Sequence, residues 1–368
     1  MKKIPFIILI LITWALYPIL NLLSKRRIEI SQKRVLFIPQ YSRIGDIVCS
    51  TPVIYNIKKH YPDSYIVALI SKKALGILKN NPRIDKIILL EDYSNVGLIK
   101  TLREENFNYS INLSATSVNT CISIWSLIPN RIKTIVETPP ITERLTNWMS
   151  NLRLLYKNHT FLPQHHINLL KFMGIDNPEL KKEVYTTEQT ENKANAWRNT
   201  LSKDHKIIGI SISAGNKIKE LGDDKFEILI KRILEDQNKQ VVIIGSKADK
   251  TRIDNLLGRI NNPRCTEATN FNLEELPSLM KRFDLYIAVD TGPIYIAHSL
   301  GVPLIDIIGP VDPSEQPPSD NRSIQVLPRN SIQPSSFVFK RRGTTAQIKL
   351  ALDNTNIEDI YNAIKRIF

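Results

Sequence analysis

The chain has no Gly-x-Gly-x-x-Gly run, which weakens a dinucleotide oxidoreductase, and no Walker loop, which argues against an ATPase or kinase of that type. It also has no Asp-x-Asp, so metal-bridged nucleotide-sugar chemistry has no evident ligands. Cysteine is scarce. Cys49, Cys121 and Cys265 stand apart, without the paired spacing of a zinc site or a disulfide framework, which favours a reducing compartment. His165 and His166 find no third ligand at metal-binding spacing. No RNA- or DNA-binding motif and no basic-aromatic interleaving is present.

Cationic charge and apolar residues are plentiful. Across 368 residues, 50 Lys and Arg against 36 Asp and Glu leave a formal net charge of +14. An apolar fraction of 42% describes a folded protein, long enough for two ordinary domains and an appendage. The stretch Ile4–Leu23 carries no charge and, at about 1.5 Å per residue, reaches roughly the 30 Å of a hydrocarbon core. Trp14 and Tyr17 are rings of the interfacial type, and no small-x-small cleavage pattern closes the run. Lys2 and Lys3 precede it; Lys25, Arg26, Arg27, Lys33 and Arg34 follow. The heavier basic flank is C-terminal, which places the main domains in the cytoplasm against an anionic inner-membrane surface. A spanning anchor and a monotopic helix bent near Pro18 both fit.

Strand-like runs at Val35–Pro39, Tyr65–Ile70, Lys86–Leu90, Tyr109–Leu113 and Ile132–Val136 alternate with helix-like Ile47–His60 and Val96–Glu105. That alternation predicts βα units on a parallel sheet. Pro163–Met173 reads as a further helix ended by Gly174. After a polar crossing at Asp176–Gln189 the pattern repeats, with strands at Ile207–Ile212, Gln240–Ile244, Leu285–Val289 and Leu304–Ile308. Helices fill Lys225–Glu235, Lys247–Leu257 and Leu273–Lys281, and Ile357–Phe368 reads as a terminal helix packing back on the body. The expected organisation is an anchor with its basic flank over 1–32, a first Rossmann-like domain over 33–180, a second over 190–330, and a tail over 331–368.

Two turns carry the chemistry. Leu285–Val289 breaks at Asp290-Thr291-Gly292-Pro293 before a short helix. Thr291 can cap that helix, Gly292 lets backbone approach a ligand, and Pro293 suits the first turn. The dipole end of the helix points where an anion would sit. Upstream, Val35–Pro39 is followed by Arg43-Ile44-Gly45-Asp46-Ile47, where Asp46 is either a helix N-cap or a base. Ser213-Ala214-Gly215-Asn216, with Lys217 and Lys219 behind it, is either a solvated basic loop or a phosphate-binding loop. Asp249 suits ribose hydroxyls or a helix N-terminus equally.

Arg43-Ile44-Gly45-Asp46-Ile47-Val48 through Ser50-Thr51-Pro52, together with Asp290-Thr291-Gly292-Pro293, resemble glycosyltransferase family 9, the heptosyltransferases of lipopolysaccharide core assembly. Asn81-Pro82-Arg83-Ile84-Asp85, His166 through Gly174 and Leu273–Pro313 extend the resemblance over roughly residues 34–313. It implies an α/β GT-B fold, two Rossmann-like domains facing a cleft. The donor it implies is a nucleotide sugar, ADP-heptose, and the acceptor a lipid-linked saccharide, at the bacterial inner membrane and without a metal cofactor. By the same resemblance Asp46 is the base, Asp290, Thr291 and Gly292 hold the diphosphate, Lys219 rather than Lys217 neutralises the leaving group, and Phe271 sits against the nucleobase. The pattern departs at two places. Tyr295 stands where the family usually has His, and Leu221-Gly222 stand where a Trp-Pro pair often follows the lysine. A phenol donates a hydrogen bond but cannot become a cation. Two other readings therefore stay open: a catalytically impaired nucleotide-sugar-binding protein of this fold, and a membrane-tethered polyanion-binding protein.

Overall fold

The computed structural model describes residues 6–25, 31–215, 217–339 and 343–368, and the chain divides into two units, Met1–Glu183 and Val184–Phe368. Lys2, Lys3, Arg26, Arg27 and Asn216, singled out above, lie outside the described residues.

The first unit is built on six strands: β1 (Arg34–Ile38), β2 (Tyr65–Ile70), β3 (Lys86–Leu89), β4 (Tyr109–Asn112), β5 (Asn130–Val136) and β6 (Leu152–Tyr156). They pair in parallel in the order β3-β2-β1-β4-β5-β6. Val35–Ile38 is apolar at every position because a central parallel strand is covered on both faces. Leu36, Ile38, Val67 and Leu69 meet Leu98 and Leu102 of the helix Asn95–Glu104. Ser94 caps that helix by accepting from the Gly97 amide at 3.1 Å.

The second unit repeats the plan with β7 (Lys206–Ser211), β8 (Lys239–Ile244), β9 (Cys265–Ala268), β10 (Leu285–Val289), β11 (Leu304–Ile307) and β12 (Ser323–Val326), all parallel, in the order β12-β11-β10-β7-β8-β9. Numbered within its own unit, each sheet runs 3-2-1-4-5-6. Strand order therefore reverses between β1 and β4, and again between β7 and β10. At such a switch point the loops beyond the carboxyl ends diverge and leave room for a ligand.

The C-terminal helix packs back on the second unit, as its amphipathic pattern predicts. Ile360, Ala363 and Ile364 of the helix Ile357–Ile367 lie in that unit's core, and Arg232 pairs with Glu358 across the contact. At the other end of the chain, the N-terminal helix Phe6–Lys25 groups with the first unit. The helix Phe6–Lys25 is long and apolar enough to cross a membrane, yet it packs along the helix Ser117–Trp125, with Leu9 and Ile10 against Cys121 and Leu20 against Ile124 and Met149.

Candidate functional site

In the first unit the loop after β1 leads into the helix Ile44–His60, three residues earlier than the pattern suggested. Asp46 is thus inside the first turn. The N-cap is Arg43, whose backbone is extended and whose side chain makes no capping bond. The N-cap reading of Asp46 fails, because Ile44 and Gly45 already have helical geometry. The Asp46 side chain is 5% exposed, with Oδ2 3.6 Å from the half-exposed Arg43 guanidinium. That guanidinium and the helix N-terminus put positive potential on the carboxylate. Buried Ile47, Val48, Val53, Ile54 and Ile57 hold the helix against the sheet.

Beside it, at the unit's switch point, lies a polar network absent from the sequence reading. Tyr41 donates to Asn119 Oδ1, Asn119 donates to Asn112 Oδ1 at 3.0 Å, and Ser114 donates to the same oxygen at 2.9 Å. It ties the loop after β1 to the end of β4. The signal available was the polar run Asn112, Ser114, Thr116 closing an apolar strand.

In the second unit the loops after β7 and β10 meet at the switch point. Lys219 Nζ lies 2.8 Å from Asp290 Oδ2 and 3.4 Å from the Asp290 carbonyl. Tyr295, one turn into the helix Gly292–Ser299, donates to Asp290 Oδ1 at 2.5 Å. Asp290 is held from both sides, and the phenol's proton is committed to a carboxylate rather than offered to an anion. Thr291 is the N-cap of this helix but makes no side-chain capping bond, and Pro293 occupies its first turn. Ser213 and Gly215 border the same loop, which is pinned where Ala214 N–H donates to Glu220 at 3.1 Å. Glu220 in turn accepts from Arg252 at 2.7 Å.

The helix Thr345–Asp353 packs on the Lys217–Lys219 turn, and its Leu352 seats on Gly309, which has φ 55°. Residues within 320–356, unassigned by sequence, thus support the loop carrying Lys219.

Two expected ligand contacts do not join this cluster. Asp249 Oδ2 accepts from Ser246 N–H at 2.8 Å and from Ser246 Oγ at 2.6 Å, a reciprocal cap at the start of its helix. Phe271 is 7% exposed, edge-on to Trp197 at 5.9 Å with Lys193 Nζ 4.8 Å over its ring, so it has little open face for a base. Among the described residues no three His, Cys, Asp or Glu side chains converge as a metal-ligand set.

Sequence reading also passed over Asp306, in the middle of apolar β11. It is fully buried, and its oxygens make no hydrogen bond among the described residues. Burial first, then the Asp290 carboxylate, hold its carboxyl well above the ordinary aspartate range, with Lys219 pulling the other way. The folded state therefore keeps a proton that the unfolded chain releases above about pH 4. Stability should fall as pH rises from there into the raised range, by about 1.4 kcal/mol for each pH unit crossed. Asp306→Asn cannot ionise, so its melting temperature should exceed the wild type's at neutral pH, with the gap closing below pH 4. Parallel melting curves across that range would contradict this account.

A family model described as glycosyltransferase family 9 (heptosyltransferase) matches residues 96–341. The chain is 28% identical over 286 residues to lipopolysaccharide heptosyltransferase 1 of Campylobacter coli, covering 73% of this chain and 82% of that protein. To lipopolysaccharide heptosyltransferase 3 of Escherichia coli K12 it is 27% identical over 287 residues, covering 73% and 80%. A solved glycosyl transferase family 9 protein from Veillonella parvula shares the fold with a TM-score of 0.74 at 19% identity, covering 92% of this chain and 98% of that one. An E. coli heptosyltransferase solved with ADP-2-deoxy-2-fluoro heptose superposes with a TM-score of 0.66 at 13% identity, covering 90% and 99%.

Proposed function

The chain belongs to glycosyltransferase family 9, and from that premise we propose that it transfers a heptose from ADP-heptose to a lipid-linked saccharide such as lipopolysaccharide core. Relatives that are lipopolysaccharide heptosyltransferases support the acceptor class, and a neighbour of the same fold solved with an ADP-sugar analogue supports the donor. The observation that carries the reading is the meeting of Lys219 and Asp290 across the β7–β10 switch point, beside the N-terminus of the helix Gly292–Ser299.

In this reading Asp46 takes the proton of an acceptor hydroxyl, which attacks the anomeric carbon as the diphosphate departs. A single displacement of this kind inverts the anomeric centre. Thr291, Gly292 and the dipole of the helix behind them face the diphosphate, and Lys219 offsets the charge that grows on it. The chemistry asks for no metal. Enzymes of core assembly work at the inner membrane, and the basic flank after the N-terminal helix supports the cytoplasmic side.

The commitment of Tyr295 to Asp290 favours a second reading, a protein that binds the donor without turnover. Mass spectrometry of a truncated core glycolipid incubated with candidate nucleotide sugars, beside melting curves with and without ADP-heptose, separates the two. Glycolipid gaining one heptose supports transfer. A raised melting temperature without product supports the second reading, and neither response removes both.

A further inference from the structure

The helix Phe6–Lys25 has its polarity inverted relative to a helix on a water-soluble protein. Its polar residues Thr13, Tyr17, Asn21 and Ser24 line the face packed on the first unit, alongside Leu9, Ile10 and Leu20. Trp125 Nε1 donates to Thr13 at 2.8 Å, and the buried Arg131 donates to Asn21 at 2.8 Å and to the Tyr17 hydroxyl at 3.3 Å. The outward face is apolar from Ile7 to Leu23: Ile7 is 65% exposed, Leu11 58%, Trp14 55% and Ile19 59%. Water-facing helices show the reverse pattern, so the medium outside this face is apolar.

Contacts with the folded unit run from Leu9 at least to Asn21, with Ser24 buried beyond it. Those twelve rises take up about 18 Å of a helix about 30 Å long. The remainder, about 12 Å, is far short of a hydrocarbon core of about 30 Å. Docked as it is, the helix cannot span a bilayer without drawing the flank of the sheet into lipid.

The apolar surface also continues beyond the helix. Ile141 (72% exposed), Leu145 and Trp148 lie one and two turns apart on the neighbouring helix Ile141–Asn147 and its cap, and the Trp148 ring stands edge-on to Tyr17 at 4.7 Å. Lys2, Lys3, Lys25, Arg26 and Arg27 flank the N-terminal helix in sequence, matching an anionic headgroup layer.

From these observations we infer that the first unit lies on one leaflet of an anionic bilayer, with the N-terminal helix flat in the interface and the Ile141, Leu145, Trp148 stripe as a second point of insertion. This holds for the unit by itself, whatever sugar the protein transfers.

The test uses full-length protein on phosphatidylethanolamine/phosphatidylglycerol vesicles carrying bromine at shallow or deep acyl positions, with tryptophan fluorescence as readout. Trp14→Phe and Trp148→Phe variants separate the two rings. Shallow bromines should quench both Trp14 and Trp148 more than deep ones do. Ile141→Glu/Leu145→Glu should weaken vesicle binding about tenfold while melting temperature and transfer to a water-soluble acceptor fragment stay unchanged. Deep quenching of Trp14 with none at Trp148 would establish a spanning helix and overturn the inference. So would absent quenching with concentration-dependent dimers, since a second copy would then cover the face. Transfer to a soluble fragment reports on the catalytic reading alone, so either idea can fail without the other.

Discussion

Asp46→Asn is expected to reduce heptose transfer by on the order of 10²- to 10⁴-fold, the range over which a positioned base accelerates proton removal. The substitution keeps size and shape and removes the ability to accept a proton at neutral pH. Asp46 sits in the first turn of the helix Ile44–His60, where a negative side chain gains about 0.3–1 kcal/mol from the dipole. Folding should therefore weaken by no more than that, and the melting temperature should barely move.

The groups proposed to hold the diphosphate all belong to the second unit, so donor affinity should be unchanged. The check is a kcat collapse with unaltered donor KM, together with an unaltered melting shift on adding ADP-heptose. Transfer undiminished by Asp46→Asn would take Asp46 out of the base role. Equal loss of donor binding would assign it to substrate holding instead.

How much of this was legible beforehand depended on burial. Tyr65–Ile70 and Leu285–Val289 were read to the residue, because strands covered on both faces are unbroken apolar runs. The three strands that escaped, β6, β9 and β12, are all sheet edges. Leu152–Tyr156 alternates with Arg153, Cys265–Ala268 contains Thr and Glu, and Ser323–Val326 contains Gln. An edge strand is open on one side and needs no continuous apolar run, so its pattern fades into that of a loop.

The site shows the same division. Turn chemistry pointed to Asp290, Thr291 and Gly292, because Gly and Pro after a buried strand are local signals. It could not show that Tyr295 and Lys219 both close on Asp290, since sequence carries no distance across 71 residues. Asp306 was hidden by its apolar neighbours. Asp249 and Phe271 were read as ligand contacts by position, and the fold shows the cap and the ring cluster in which they also take part. In the N-terminal helix the stripe Thr13, Tyr17, Asn21, Ser24 is visible in sequence, yet only the fold says that it faces protein.

Lys219→Met should reduce transfer by about 10²- to 10³-fold, the range seen when one preorganised charge-stabilising group is lost. It should also destabilise the fold, because the Asp290 carboxylate would lose its cation and keep, among the described residues, only the Tyr295 hydroxyl as a side-chain partner. Lys219 and Asp290 are 15% and 12% exposed, so the loss falls below the 3–5 kcal/mol of a fully buried pair, at about 1–3 kcal/mol. These two effects can be separated. In Lys219→Met/Asp290→Asn the orphaned charge is gone, so stability should return most of the way to the wild type's. Transfer should not return, because the cation proposed to offset the charge growing on the diphosphate is still missing. Lys217→Met, at the exposed neighbour on the same turn, should leave both quantities near wild type. If the double variant regains transfer along with stability, Lys219 is a structural counter-ion for Asp290, and the leaving group must be stabilised by the helix Gly292–Ser299 alone.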